Sequence, residues 1–126
     1  MTTSTTPRKI VKPPLKWAGG KRWQVPHLEH YWTSNRQCRL VEPFCGGLAV
    51  TLGLRPQQAL LNDINPHLIN FYAWLKKGFL SRLTMKNDKT LFYQHRDRFN
   101  ELTKAENITT RESAALFYYL NRTGYN

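Results

Sequence analysis

Two short apolar runs, each halted by an acid, punctuate the first half of the chain: Arg39-Leu40-Val41 ends in Glu42-Pro43, and Ala59-Leu60-Leu61 ends in Asn62-Asp63. A run of that length between turn residues reads as a buried strand, and a proline closes it because it has no N–H for the ladder. Between the two lie Gly46-Gly47 and then Leu48 to Leu54, where the pattern is that of a helix. Pro66 opens another helix, carrying Leu68, Ile69, Phe71, Tyr72, Trp74 and Leu75. Proline costs nothing at a first helical position, whose N–H has no partner in any case. The order strand, glycine turn, helix, strand, acid predicts the first half of a doubly wound α/β nucleotide-binding fold, in which ligands sit beyond the carboxyl ends of the strands.

On either side the pattern changes. Residues 1–14 are polar and basic, carry Pro7, Pro13 and Pro14, and read as a flexible leader. After Gly19-Gly20, the stretch from Lys21 to Trp32 reads as a helix whose Pro26 belongs in an early turn. Beyond Lys76-Lys77-Gly78 no strand is predicted, and helices are expected around Phe92 to Leu102 and from Thr110 to Leu120. Thr109 and Glu112 have the spacing of a capping box for the second of these. Ala114 to Leu120 is apolar apart from two tyrosine hydroxyls, so that helix should be buried around most of its circumference.

Charge narrows the partners. Nineteen Lys and Arg against eight acids give a net +11, spread along the whole chain of 126 residues, which favours a polyanion. No segment approaches the roughly 20 apolar residues of a membrane span, so nucleic acid is preferred to a membrane surface. Cys38 and Cys45 flank an apolar run, too sparse for a disulfide framework or a zinc site, and the start of the chain has no secretory signal pattern. A cytoplasmic protein is expected.

Three segments carry candidate chemistry. In Val41-Glu42-Pro43-Phe44-Cys45-Gly46-Gly47 the glycines permit close approach of a nucleotide-like ligand, although Leu48 stands where the dinucleotide pattern has its second glycine, and a plain strand-to-helix turn is equally compatible. Asp63, 21 residues after Glu42, is placed to accept hydrogen bonds from ribose hydroxyls, while Asn65 caps the helix at Pro66. In Leu15-Lys16-Trp17-Ala18-Gly19-Gly20-Lys21 a phosphate loop fails, because Leu15 replaces its first glycine and Arg22 its Ser or Thr. Lys21 before a helix suits a small carboxylate instead, and Trp17 offers a face to an adenine or a cation at about 0.5–2 kcal/mol. S-adenosylmethionine combines such a carboxylate with an adenosine and a sulfonium.

Lys16 to Lys21, Val41 to Gly47, Asn62-Asp63-Ile64-Asn65 and Tyr119-Leu120-Asn121-Arg122-Thr123-Gly124-Tyr125-Asn126 occur in the order found in Dam-like adenine-specific DNA methyltransferases, which the chain resembles from about Pro14 to Asn126. The resemblance implies an incomplete Rossmann-like S-adenosylmethionine-dependent methyltransferase fold over 15–75, followed over 76–126 by the beginning of a helical DNA-recognition domain. It implies cofactor contacts from Trp17, Lys21, Glu42, Phe44, Gly46 and Asp63, and contacts to double-stranded DNA from Arg122, Tyr125 and Asn126. Leu48 departs from the glycine more usual in the family. The family's catalytic Asp-Pro-Pro-Tyr is absent from the sequence, so the expectation is a truncated chain, bacterial or phage-encoded, marginally folded and inactive alone, with the carboxyl-terminal part of the enzyme as a partner. Alternatives are a non-catalytic remnant that binds cofactor or DNA, and a basic nucleic-acid-binding module with no cofactor.

Overall fold

The computed structural model describes residues 11–79 and 81–124. The chain divides into two compact units, Met1–Leu61 and Asn62–Asn126.

In the first unit a 3-10 turn, Arg22–Gln24, leads into α1, Val25–Thr33, followed by β1, Leu40–Glu42, α2, Ala49–Leu54, and β2, Ala59–Leu61. The single helix expected from Lys21 is thus split. Pro26 falls in the first turn of α1, where its missing N–H is harmless. The two strands are parallel and in register, Val41 opposite Leu60 and Glu42 opposite Leu61, so β1, α2 and β2 make one strand–helix–strand unit. Gly53 sets the approach of α2 to α1: a Cβ there would lie 2.6 Å from Val25 Cγ1, well inside contact distance. Leu15, Trp32, Cys45 and Leu54 form the buried apolar centre.

One expectation fails here. The strands are not buried, and Val41 and Leu60 keep 50% and 51% of their surface exposed. Paired across the register, they project side by side, and two three-residue strands have too few neighbours to be enclosed on both faces.

The second unit is helical: α3, Pro66–Lys76, α4, Lys89–Lys104, and α5, Arg111–Thr123. Each helix begins with a side-chain cap. Asn65 accepts from the amides of His67 and Leu68, Asp88 from that of Leu91, and Thr110 from that of Ser113. The capping box expected from Thr109 and Glu112 therefore does not form, and the cap lies one residue on. Thr110 is the extended residue before the helix, and Glu112 is drawn instead to Arg98 on α4. As the apolar run requires, no residue of α5 from Ala114 to Leu120 is exposed, and Tyr119 and Ala114 are fully buried. Phe71 of α3 stacks on Tyr118 at 5.5 Å and meets Phe79 edge-on, so this helix aromatic packs and does not form an open platform. Three side chains tie helices to irregular backbone: Asn70 Nδ2 and Trp74 Nε1 donate to the carbonyls of Thr110 and Thr109, and the Tyr119 hydroxyl donates to that of Lys86. The described architecture is helix-dominated with one small parallel sheet.

Candidate functional site

In the first unit the carboxyl end of β1 delivers Glu42, whose Oε2 accepts a hydrogen bond from the Thr51 hydroxyl on α2. The helix that follows the strand thereby fixes the carboxylate. The intervening turn is tight: Gly46 has φ 49° and Leu48 φ 69°, and the Leu48 amide closes on the Cys45 carbonyl at 3.0 Å. A left-handed leucine costs roughly 1–2 kcal/mol, which explains why glycine is the easier residue where this chain has Leu48.

Trp17 packs onto that turn. A Cβ on Gly46 would stand 3.2 Å from Trp17 Cδ1, and one on Gly47 3.0 Å from Trp17 Cβ. The paired glycines thus make room for the indole itself, a reason for them that the spacing alone did not reveal. Trp17 is half-buried by this contact, while Phe44, at the outside of the turn, keeps 84% of its surface exposed. Trp17, Gly46 and Gly47 are brought together, with Glu42 at the strand end leading into the turn. Lys21 is exposed and precedes the three-residue 3-10 turn, with α1 starting four residues later, so it brings its charge without a full helix dipole behind it.

In the second unit Asp63 and Asn65 form nested turns. Asp63 Oδ1 accepts from the Asn65 amide at 3.0 Å, and Asn65 Oδ1 accepts from the His67 amide at 3.0 Å and the Leu68 amide at 3.4 Å. The carboxylate is held in place while its helix is capped, so the turn with Asn65 as cap is present as expected. Between the two side chains Ile64 is 93% exposed. An isoleucine held in solvent between two ordered polar residues offers an apolar face to a ligand, and sequence reasoning passed over it because Ile64 looked like part of the turn. Asp63 and Ile64 stand at the end of a groove of about 460 Å³ walled by Ile69, Ala73 and Trp74 of α3.

Arg122 is exposed in the last turn of α5, where a cation suits the helix dipole. Tyr125 and Asn126 lie outside the described residues. Among the described residues no group of three or more His, Cys, Asp and Glu is arranged to hold a metal ion, and no helix is long and apolar enough to cross a membrane. Cys38 is exposed and Cys45 buried.

Two titratable features lie in the helical unit. Desolvation lowers the pKa of His67, whose ring packs 4.7 Å from Phe99 and whose Nδ1 is buried without a hydrogen-bond partner among the described residues. The hydrogen-bonded pair with Arg98 holds the Glu112 carboxyl below its ordinary range.

The family model described as D12 class N6 adenine-specific DNA methyltransferase matches residues 17–126. The chain is 33% identical over 124 residues to the type II methyltransferase M1.LlaDCHI of Lactococcus lactis subsp. cremoris, covering 92% of this chain and 42% of that one. It is 37% identical over 118 residues to the retron Ec67 DNA adenine methylase of Escherichia coli, covering 88% and 40%, and 33% identical over 132 residues to the DNA adenine methylase of Haemophilus influenzae, covering 98% and 44%. The chain spans about two fifths of the length of these relatives. No solved structure matches it.

Proposed function

The chain belongs to the D12 class N6 adenine-specific DNA methyltransferase family, and we propose that it carries the cofactor-binding part, 15–75, and the first of the DNA-recognition part, 76–126, of a cytoplasmic enzyme that methylates the exocyclic amine of adenine in duplex DNA. The family match over 17–126 carries the reading, because it takes in every residue proposed to contact cofactor or DNA, from Trp17 to Asn126. The strand–helix–strand unit supports a Rossmann-like fold continued by further strands. The half-exposed pair Val41 and Leu60 fits a sheet face that the carboxyl-terminal part of such an enzyme covers.

The residues present suit S-adenosylmethionine. In the first unit Phe44 is exposed and Trp17 lines the glycine turn, and in the second Asp63 is a carboxylate for ribose hydroxyls beside exposed Ile64. Glu42, oriented by Thr51, suits a donor such as the amino group, and Lys21 the carboxylate of the methionine part. When bound, the cofactor supplies an electrophilic methyl on a sulfonium. The residues of this chain bind and orient it, while Arg122, Tyr125 and Asn126 approach the DNA. Extrusion and activation of the adenine are work for an Asp-Pro-Pro-Tyr motif, which does not occur among these 126 residues.

Calorimetric titration with S-adenosylmethionine tests the reading. Saturable binding is expected, with Asp63→Ala and Lys21→Ala each weakening it about tenfold or more, the worth of a charge-assisted hydrogen bond. Duplex DNA should bind with an affinity that falls steeply with salt. Undetectable cofactor binding, or variants that bind like the parent, would overturn the cofactor assignment.

A further inference from the structure

We propose that a groove at the amino-terminal end of α5 is a second DNA-backbone site, in which Arg82 and Arg111 contact phosphates beyond the stretch of duplex engaged by Arg122. The inference rests on the DNA-binding reading and extends its footprint.

The groove, about 300 Å³, is lined by Phe79, Arg82, Leu83, Arg111, Glu112 and Ala115. The Arg111 guanidinium lies over the Phe79 ring, 5.6 Å from its centroid. Stacking of that kind restrains the plane of the group and leaves the N–H donors at its rim to reach an anion. The one acid of the groove is already engaged. Both Glu112 oxygens accept from Arg98, at 2.7 and 3.1 Å, a guanidinium that also donates to Glu101 at 3.2 Å, so the carboxylate is held by a cation it shares. Among the described residues neither Arg82 nor Arg111 belongs to an ion pair. Two cations therefore face one apolar-floored groove whose single acid is already held by Arg98.

Arg111 is also poorly placed for stability. It is exposed in the first turn of α5, where a cation opposes the helix dipole. An anion entering the groove answers the dipole and both guanidinium groups together.

The geometry of α5 favours a long polyanion over a small one. Arg111 and Arg122 are 11 residues apart, which on an α-helix returns the side chain to within about 20° of the same face after a rise of about 16 Å. Both arginines thus project from one side of one rigid element. A duplex carries a phosphate charge about every 1.7 Å along its axis, so DNA lying along that side meets both ends.

The test measures duplex binding to the 126-residue chain across a salt series. The double variant Arg82→Ala/Arg111→Ala should reduce the slope of log affinity against log salt by about 1–2, the contribution of one or two phosphates, with a circular dichroism melt no lower than the parent's. Arg82→Lys/Arg111→Lys should keep the parental slope, and this excludes loss of fold as the cause. If the parent binds and Arg122→Ala weakens it, yet the double alanine variant keeps the parental slope, the second site is wrong and the DNA reading stands. The second site is equally wrong if that variant loses only inorganic phosphate binding, which would mark a site for a small anion. A parent that binds no DNA removes both.

Discussion

An added methyl on Gly47 would press directly on Trp17, 3.0 Å away and backed by the turn. Gly47→Ala should therefore shift the indole, moving the tryptophan emission and lowering S-adenosylmethionine affinity about tenfold, since misplacing one wall of a fitted site is costly. Unchanged emission and affinity would mean that the indole has no part in shaping the site. Ser113 presents the opposite case. It is 1% exposed, on the buried face of α5, and its hydroxyl has no partner among the described residues. Ser113→Ala removes an unsatisfied polar group and improves helix propensity, and should raise stability by about 1 kcal/mol in urea titration. A loss of stability instead would reveal a hydrogen bond to that oxygen. At this scale the sequence identified residue types well and reasons less well. The Gly46-Gly47 pair was legible as a turn, but that it accommodates Trp17, 29 positions before Gly46, depends on a contact no local pattern contains.

Among the elements, β2 was legible to the residue, because turn formers bracket its three apolar positions on both sides. The start of α5 differs by one position from the sequence expectation, since two adjacent threonines are equally good caps and only backbone geometry chooses Thr110. Thr110→Ala should cost about 1 kcal/mol, whereas Thr109→Ala should leave the helix cap intact, and paired thermal melts separate the two. His67 makes α3 sensitive to pH. Its folded pKa is lowered, so the unfolded chain takes up a proton that the folded form resists. Stability should be flat above the ordinary histidine range, near 6.5, and fall as pH drops through it toward the depressed value. His67→Leu should remove that slope between about pH 7.5 and 5. If the slope persists, another group is responsible.

For the molecule as a whole, the order of strands and helices was readable because hydrophobic period and turn chemistry are local. Burial of the strands was not. Whether Val41 and Leu60 are covered depends on what packs across the sheet, and an apolar triplet looks the same with or without a cover. Leu60→Thr should accordingly cost less than about 1 kcal/mol in this chain, because half of the side chain is already in water. A larger loss would show the face to be packed. The net charge of +11 was equally plain in the sequence, but its placement was not: only the folded helix aligns Arg111 with Arg122. The nested turns at Asp63 and Asn65 have a kinetic consequence. The amides of Asn65, His67 and Leu68 all donate to the two side chains that bracket Ile64, so they are one cooperative group of exchangeable protons. A ligand that engages the Asp63 carboxylate stiffens this group from outside. Deuterium uptake at these three amides should slow in step as the ligand is added, with the amides in the middle of α5 unchanged, giving a readout of occupancy that needs neither methyl transfer nor DNA.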